Sequence, residues 1–121
     1  MNNHTHAGHD LGARGEEAAA GYLAGLGWRL IERNWRCREG ELDIIAHDGR
    51  QYVVCEVKTR RSVRFGDPVE AVGDGKAARL RRLALRWAAS HGVRGADVRI
   101  DVLGLVAEGD GFVLDHLREV C

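Results

Sequence analysis

Asp43, Glu56 and Lys58 are the residues of this chain whose types and spacing could do chemistry. They interrupt two apolar runs, Leu42–Ala46 and Tyr52–Lys58, joined at Asp48-Gly49. An Asp-Gly pair between strand-like runs signals a hairpin, because both central residues of a type I′ turn need positive φ. With Asp48 and Gly49 as a two-residue loop, Asp43 faces Val54 and Glu41 faces Glu56. Side chains alternate along each strand, so Asp43, Glu56 and Lys58 emerge on one face, the two carboxylates being diagonal neighbours at roughly 7–8 Å. Two carboxylates so placed can share a divalent cation, with bonds of about 2.0–2.1 Å for magnesium. A loop one residue longer would reverse the parity and separate them. Leu42, Ile44, Val53, Cys55 and Val57 take the other face. Ile45, Tyr52 and Val54 are apolar too, as expected of central strands covered on both sides. Charges on such strands need a partner or an ion. An acid–lysine ion pair on a partly exposed strand is the competing reading, and a D…E-x-K spacing alone does not separate the two.

Of 18 basic residues, lysine supplies only Lys58 and Lys76, and arginine supplies the rest. The bias makes a lysine among acids informative, because an ammonium can exchange a proton where a guanidinium cannot. The formal net charge of zero argues against a strongly basic nucleic-acid binder by bulk composition. The distribution is uneven: KTRRSVR from Lys58 and KAARLRRLALR from Lys76 contain no acid, whereas the acids gather around the hairpin. Basic flanks around an acidic pocket suit a polyanion approaching a metal ion; a well-mixed surface is the plainer alternative.

The elements that position these residues follow from pattern. Residues 1–9, with His4, His6 and His9, read as a flexible leader ahead of one domain over 10–121. A helix capped by Asp10 runs to about Leu26 and stops at Gly27, with Leu11, Gly15, Ala18, Ala19, Tyr22, Leu23 and Leu26 on its apolar arc. Glu16 lies at the edge of that arc. Trp28–Trp35 alternates as a strand, and Asn34 with Arg36–Glu39 turns the chain toward the hairpin. Asp67-Pro68-x-Glu70 opens a short helix. A longer helix over Lys76–Ser90 buries Leu80, Leu83, Ala84, Trp87 and Ala88, and carries Arg79, Arg82 and Arg86 together on another side. Strands follow around Val98–Gly104 and Phe112–Leu117. The three cysteines form no C-x-x-C pair and suit a reducing cytoplasm; Cys37, between two arginines, reads as inert. No apolar run reaches the length of a membrane span. The order predicts an α/β fold with a mixed central sheet of about five strands flanked by helices, α-β-β-β-α-β-β, a β-α-β crossover joining the hairpin to the last two strands.

GxxGEEAAAxYLxxxGW from Gly12, RNWRCRxGELDIIA, VCEVKTR, FGDPVEAV, Lys76 and RIDV together resemble the YraN family of small bacterial proteins. The resemblance covers nearly all of residues 12–106. It implies a restriction-endonuclease-like fold, related to archaeal Holliday-junction resolvases, in which a helix-1 glutamate, an aspartate, a glutamate and a lysine form the site. The matching positions are Glu16, Asp43, Glu56 and Lys58. Glu41 shares their hairpin face with no role assigned. Asp101 matches the family pattern, and a structural role in its strand is expected of it.

The resemblance implies a Mg2+- or Mn2+-dependent endonuclease hydrolysing DNA, structured or branched DNA included. Asp43, Glu56 and the Val57 carbonyl would hold the cation, and Glu16 would be a further or water-mediated ligand. Lys58 would assist the attacking water, and Arg60, Arg61, Arg79, Arg82 and Arg86 would contact phosphates. A homodimer is compatible with this reading. The alternative is a non-catalytic nucleic-acid-binding module with a nuclease-like fold; acids that bind metal only for stability are a third.

Overall fold

The computed structural model describes residues 7–62 and 74–120. Helix α1 (Ala7–Gly25) leads into strands β1 (Arg29–Cys37), β2 (Gly40–His47) and β3 (Tyr52–Arg60). Helix α2 (Asp74–Ser90), a short 3₁₀ turn at Gly95–Asp97, β4 (Val98–Glu108) and β5 (Gly111–Leu117) complete the order. The five strands form one sheet in the order β1-β2-β3-β4-β5, with β3 and β4 parallel and every other pair antiparallel. This is the mixed α/β sheet with flanking helices that the sequence pattern predicts. The short helix expected at Asp67-Pro68 lies outside the described residues, as do residues 1–6 of the expected leader.

The helices pack against two separate clusters. Ala19, Ala20 and Leu23 of α1 meet Ile44, Val53, Cys55, Leu103 and Leu105. Leu80, Leu83, Ala84, Trp87 and Ala88 of α2 meet Leu42, Ile45, Val54, Val98 and Ile100. The buried arc of α2 is the one its periodicity predicts. That of α1 differs at two places: Ala20 is buried and Leu26 is exposed. The helix stops just before Leu26. Trp28 N donates to the Leu23 carbonyl and Gly27 N to that of Ala24, with Gly27 at φ +86°, the bond pattern of a glycine-terminated helix end. Leu26 therefore falls beyond the last regular turn. Asp10 does not cap α1, since the helix already begins at Ala7.

The hairpin loop is longer than a two-residue I′ turn. His47 pairs with Tyr52 and Ile44 with Cys55, leaving Asp48–Gln51 as the loop. Asp48 organises it: its Oδ1 accepts from Arg50 N at 2.8 Å and Gln51 N at 2.9 Å, and its Oδ2 accepts from Arg99 Nη1 at 2.7 Å. Burial pushes the Asp48 carboxyl up, but these backbone and guanidinium donors outweigh it and bring it down to about 2. The longer loop shifts the pairing by two residues, an even number, so the faces of the strands are preserved.

Asp101 bolts the same end of the sheet. Fully buried, it accepts from Arg99 Nε at 3.0 Å and Nη2 at 3.2 Å, and from Glu119 N at 3.0 Å, and lies 2.7 Å from His116 Nε2. His116 Nδ1 in turn lies 2.9 Å from the Tyr22 hydroxyl. The loop, β4, β5, the chain beyond β5 and α1 are tied together by one network of polar groups.

Helix α1 packs tightly on β3 at Gly15, where a Cβ would overlap the Thr59 side chain. This contact fixes the height of Glu16 above the sheet. Gly15→Ala should cost about 1–3 kcal/mol by overpacking a buried contact, read as a lower urea midpoint at unchanged m. An unaltered midpoint would mean that α1 can slide on β3.

Candidate functional site

The site forms where β2 and β3 part. Their ladder runs from His47–Tyr52 to Ile44–Cys55. Its continuation sets Asp43 opposite Glu56, direct rather than diagonal neighbours. Past the last pair, Val57 N donates instead to Asp43 Oδ2 at 2.8 Å. A side-chain carboxylate thus takes a backbone donor that would otherwise need a strand carbonyl. On the other side of β2, Asn34 of β1 adopts φ +55° between the pairs Arg33–Ile44 and Trp35–Leu42. Strict alternation is lost here. Leu42, expected beside Ile44, packs instead with Trp35, Leu80 and Leu83 under α2. Nor does β1 turn at Asn34 and Arg36; it stays paired through Cys37–Gly40, and only Arg38-Glu39 make the bend.

One cavity of about 260 Å³ collects Glu41, Asp43, Glu56, Val57, Lys58 and, from α2, Lys76 and Arg79. Leu80 and Leu83 floor it. Glu56 is buried, its side chain 11% exposed, and its Oε2 lies 3.5 Å from both Lys58 Nζ and Lys76 Nζ. The only two lysines of the chain therefore converge on one carboxylate oxygen. Lys76 belonged to the recognised motif, yet nothing in its spacing from Glu56 marks it, because α2 brings it there from 20 residues away. Burial, and then the neighbouring Lys58 ammonium, lower the Lys76 pKa, while Glu56 works in the opposite direction.

The Asp43 carboxyl is pushed well above the ordinary carboxylate range. Burial is the main cause, followed by the Glu56 carboxylate beside it and a hydrogen bond with Glu56; together they raise its pKa from 3.8 to about 8. The Val57 N–H pulls the other way, and Glu16 adds a smaller push upward.

Glu16 itself lies next door. It lines a neighbouring groove with Glu17, Arg33, Arg36 and Glu41, and its Oε1 is 3.6 Å from Arg33 Nη2. Glu41, which borders both cavities, is paired with Arg36 at 2.9 Å. Arg79, Arg82 and Arg86 share an open groove along α2, and Arg79 and Leu83 line both that groove and the acidic cavity. Arg86 Nη1 lies 3.2 Å from Glu39, and Arg79 Nη2 donates to the Glu39 carbonyl at 3.3 Å. Arg82 has no ion pair among the described residues. Arg60 ends β3 and Arg61 follows it, both outside the acidic cavity; Arg60 is half-buried, with an Nε that has no hydrogen-bond partner among the described residues, and Arg61 is exposed. The structure thus gathers Asp43, Glu56, Val57 and Lys58 in one place, sets Glu16 and the α2 arginines at its borders, and adds Lys76.

As metal donors, two carboxylates and a main-chain carbonyl are hard oxygen ligands of the kind magnesium and manganese take, so the set fits in kind. Among the described residues no three or more His, Cys, Asp or Glu side chains are close enough to hold an ion on their own.

The model of the family described as "Uncharacterised protein family UPF0102" matches residues 15–105. The chain belongs to UPF0102, the YraN family. The matched span contains Glu16, Asp43, Glu56, Lys58, Lys76 and the α2 arginines, and ends before β5. A UPF0102 protein of Nocardioides sp. (strain ATCC BAA-499 / JS614) is 55% identical over 111 residues, covering 91% of this chain and 90% of its own. One from Arthrobacter sp. (strain FB24) is 52% identical over 111 residues, covering 91% and 94%. Among solved structures, SfsA of Pyrococcus furiosus in complex with Ca2+ matches at 17% identity and a TM-score of 0.39. That match covers 84% of this chain and 58% of SfsA, less than two thirds of its length. No helix among the described residues of this UPF0102 protein is long and apolar enough to cross a membrane.

The raised Asp43 pKa makes stability depend on pH. The folded chain keeps a proton that the unfolded chain releases above pH 3.8, so stability is full below that value and falls as pH rises through about 8. Asp43→Asn, which cannot ionise, should remove that slope. It should exceed wild type at pH 9 by on the order of a few kcal/mol, trimmed by solvent because the side chain is only half-buried. Parallel stability–pH curves for the two proteins would show that Asp43 is ionised in the fold.

Proposed function

We propose that this UPF0102 protein is a magnesium- or manganese-dependent phosphodiesterase acting on DNA. The observation that carries the reading is the cavity holding Asp43, Glu56 and both lysines, with Arg79 as a wall shared with an arginine-lined groove. Asp43, Glu56 and the Val57 carbonyl would hold the cation, and Glu16 would reach it from the adjoining groove through water. A bound cation supplies a Lewis acid for a phosphate oxygen and lowers the pKa of an attacking water. Glu56 binds, and it positions Lys58 at 3.5 Å. Lys58 would orient the water as an ammonium and offset charge developing on the phosphate; to take the water's proton it would first have to give up its own and act as the neutral amine. Arg79, Arg82 and Arg86, with Arg60 and Arg61, contact backbone phosphates and so give affinity without reading sequence. Structured or branched DNA is the substrate class to try first. Cys37 and Cys55, free among the described residues, suit a reducing, cytoplasmic setting.

A second reading has its own support. Burial and Glu56 push the Asp43 carboxyl toward its neutral form, and Glu56 is balanced by two ammonium groups, so the fold tolerates its acids unaided. That favours a nucleic-acid-binding module without turnover.

Linear, branched and single-stranded DNA, each with magnesium and with manganese, should be given to wild type, Lys58→Ala and Lys58→Arg. Wild type should cleave at least one of them. Lys58→Ala should lose on the order of 10²–10⁴ in single-turnover rate while keeping manganese affinity or slightly raising it. Lys58→Arg should keep DNA binding and recover little rate, since a guanidinium stays charged and exchanges no proton. Intact DNA in every lane would hand the site to the binding-module reading.

Arg82→Ala should weaken DNA binding about equally for all sequences and lower the salt slope by about 1. An unchanged slope would make the α2 groove a solvated face.

A further inference from the structure

Lys76 lies in the first turn of α2, where the positive end of the helix dipole disfavours a cation. Its place there is explained by tertiary partners. Its ammonium is 3.5 Å from Glu56 Oε2, the atom Lys58 also touches at 3.5 Å. Two like charges on one oxygen repel each other, so one is held less firmly than a lone ion pair would be. Lys58 leaves β3 two residues from Glu56 and is local to it; Lys76 comes from a different element. Three residues along α2, and so adjacent on its surface, stands Arg79, which borders both the acidic cavity and the arginine groove. From Lys76 to Arg86 the helix rises about 15 Å, enough to follow several phosphates of one strand.

Resting on the cation site just described, we propose that Lys76 is a positioning residue that changes partner: it neutralises Glu56 in the metal-free protein and passes to a DNA phosphate when a divalent cation takes Glu56. Cation and DNA then bind with positive coupling, because each favours the arrangement in which Lys76 has left the carboxylate. Lys58 stays beside Glu56 and the reacting phosphate, and Lys76 starts the row that Arg79 continues.

The test uses the full chain, manganese as the metal and a short fluorescent duplex, with anisotropy read by rapid mixing ahead of any strand scission. Manganese should bind Lys76→Gln about two- to five-fold more tightly than wild type in calorimetry, since a competing ammonium has been removed. Manganese should also strengthen duplex binding by wild type, and that gain should shrink at least about two-fold in Lys76→Gln while Lys76→Arg retains it. Lys76→Met, lacking any polar head, should behave as Lys76→Gln does; matching thermal midpoints for all four proteins show that the fold is intact. A merely structural lysine would leave both the manganese affinity and the metal–DNA coupling at wild-type values, and that result overturns the role given to Lys76 alone. If wild type binds no manganese, the cation site itself is overturned, and this exchange with it.

Discussion

The structure depends on one substitution in a hydrogen-bond ladder. At Val57 the backbone donor of β3 is taken by the Asp43 carboxylate instead of a β2 carbonyl. Had β2 and β3 stayed paired to their ends, Glu56 and Lys58 would project from a closed sheet and α2 would lie flat across them. Because the strands part, the Asp43 carboxylate occupies the opening itself, with Glu56 beside it and the field of Glu16 reaching it from α1. The cavity, the displaced Leu42 and the left-handed Asn34 all sit at this parting.

An opening in a sheet is stable only if the rest is held. The opposite end of the hairpin is closed by Asp48 and Arg99, and Arg99 is anchored in turn on the fully buried Asp101. Several charge-assisted bonds converge there, each stronger than a neutral one. The contrast between the two ends is chemical. Asp101 and Asp48 are met by a guanidinium and backbone N–H donors, whereas Glu56 faces Asp43 and two ammonium groups. The first arrangement fixes structure, and the second can exchange partners.

The charge pattern of α2 gains meaning from the same geometry. Its apolar arc seals the sheet, and its arginines border the acidic cavity through Arg79. The helix is thus both the lid of the core and the floor of a basic approach to the carboxylates.

Much of this was legible in the chain. Period-two alternation places β2, β3 and β4, the 3.6-residue period gives the buried arc of α2, and Gly27 marks the end of α1, because these depend on neighbours a few residues apart. The face shared by Asp43, Glu56 and Lys58 is also a local property: the loop proved two residues longer than Asp48-Gly49 suggests, but an even shift leaves parity intact. The direct opposition of Asp43 and Glu56 was not legible, because the loop length is decided by Asp48 binding Arg50, Gln51 and the distant Arg99. Nor was the loss of alternation at Leu42, which follows from the parting of two strands. Lys76 is the sharpest case. Its meeting with Glu56 joins a helix to a strand across 20 residues of chain, and no local period encodes such a contact. The sequence by itself determined which residues could carry charge on one face; only the packing of α2 over the parted strands decided which charges meet.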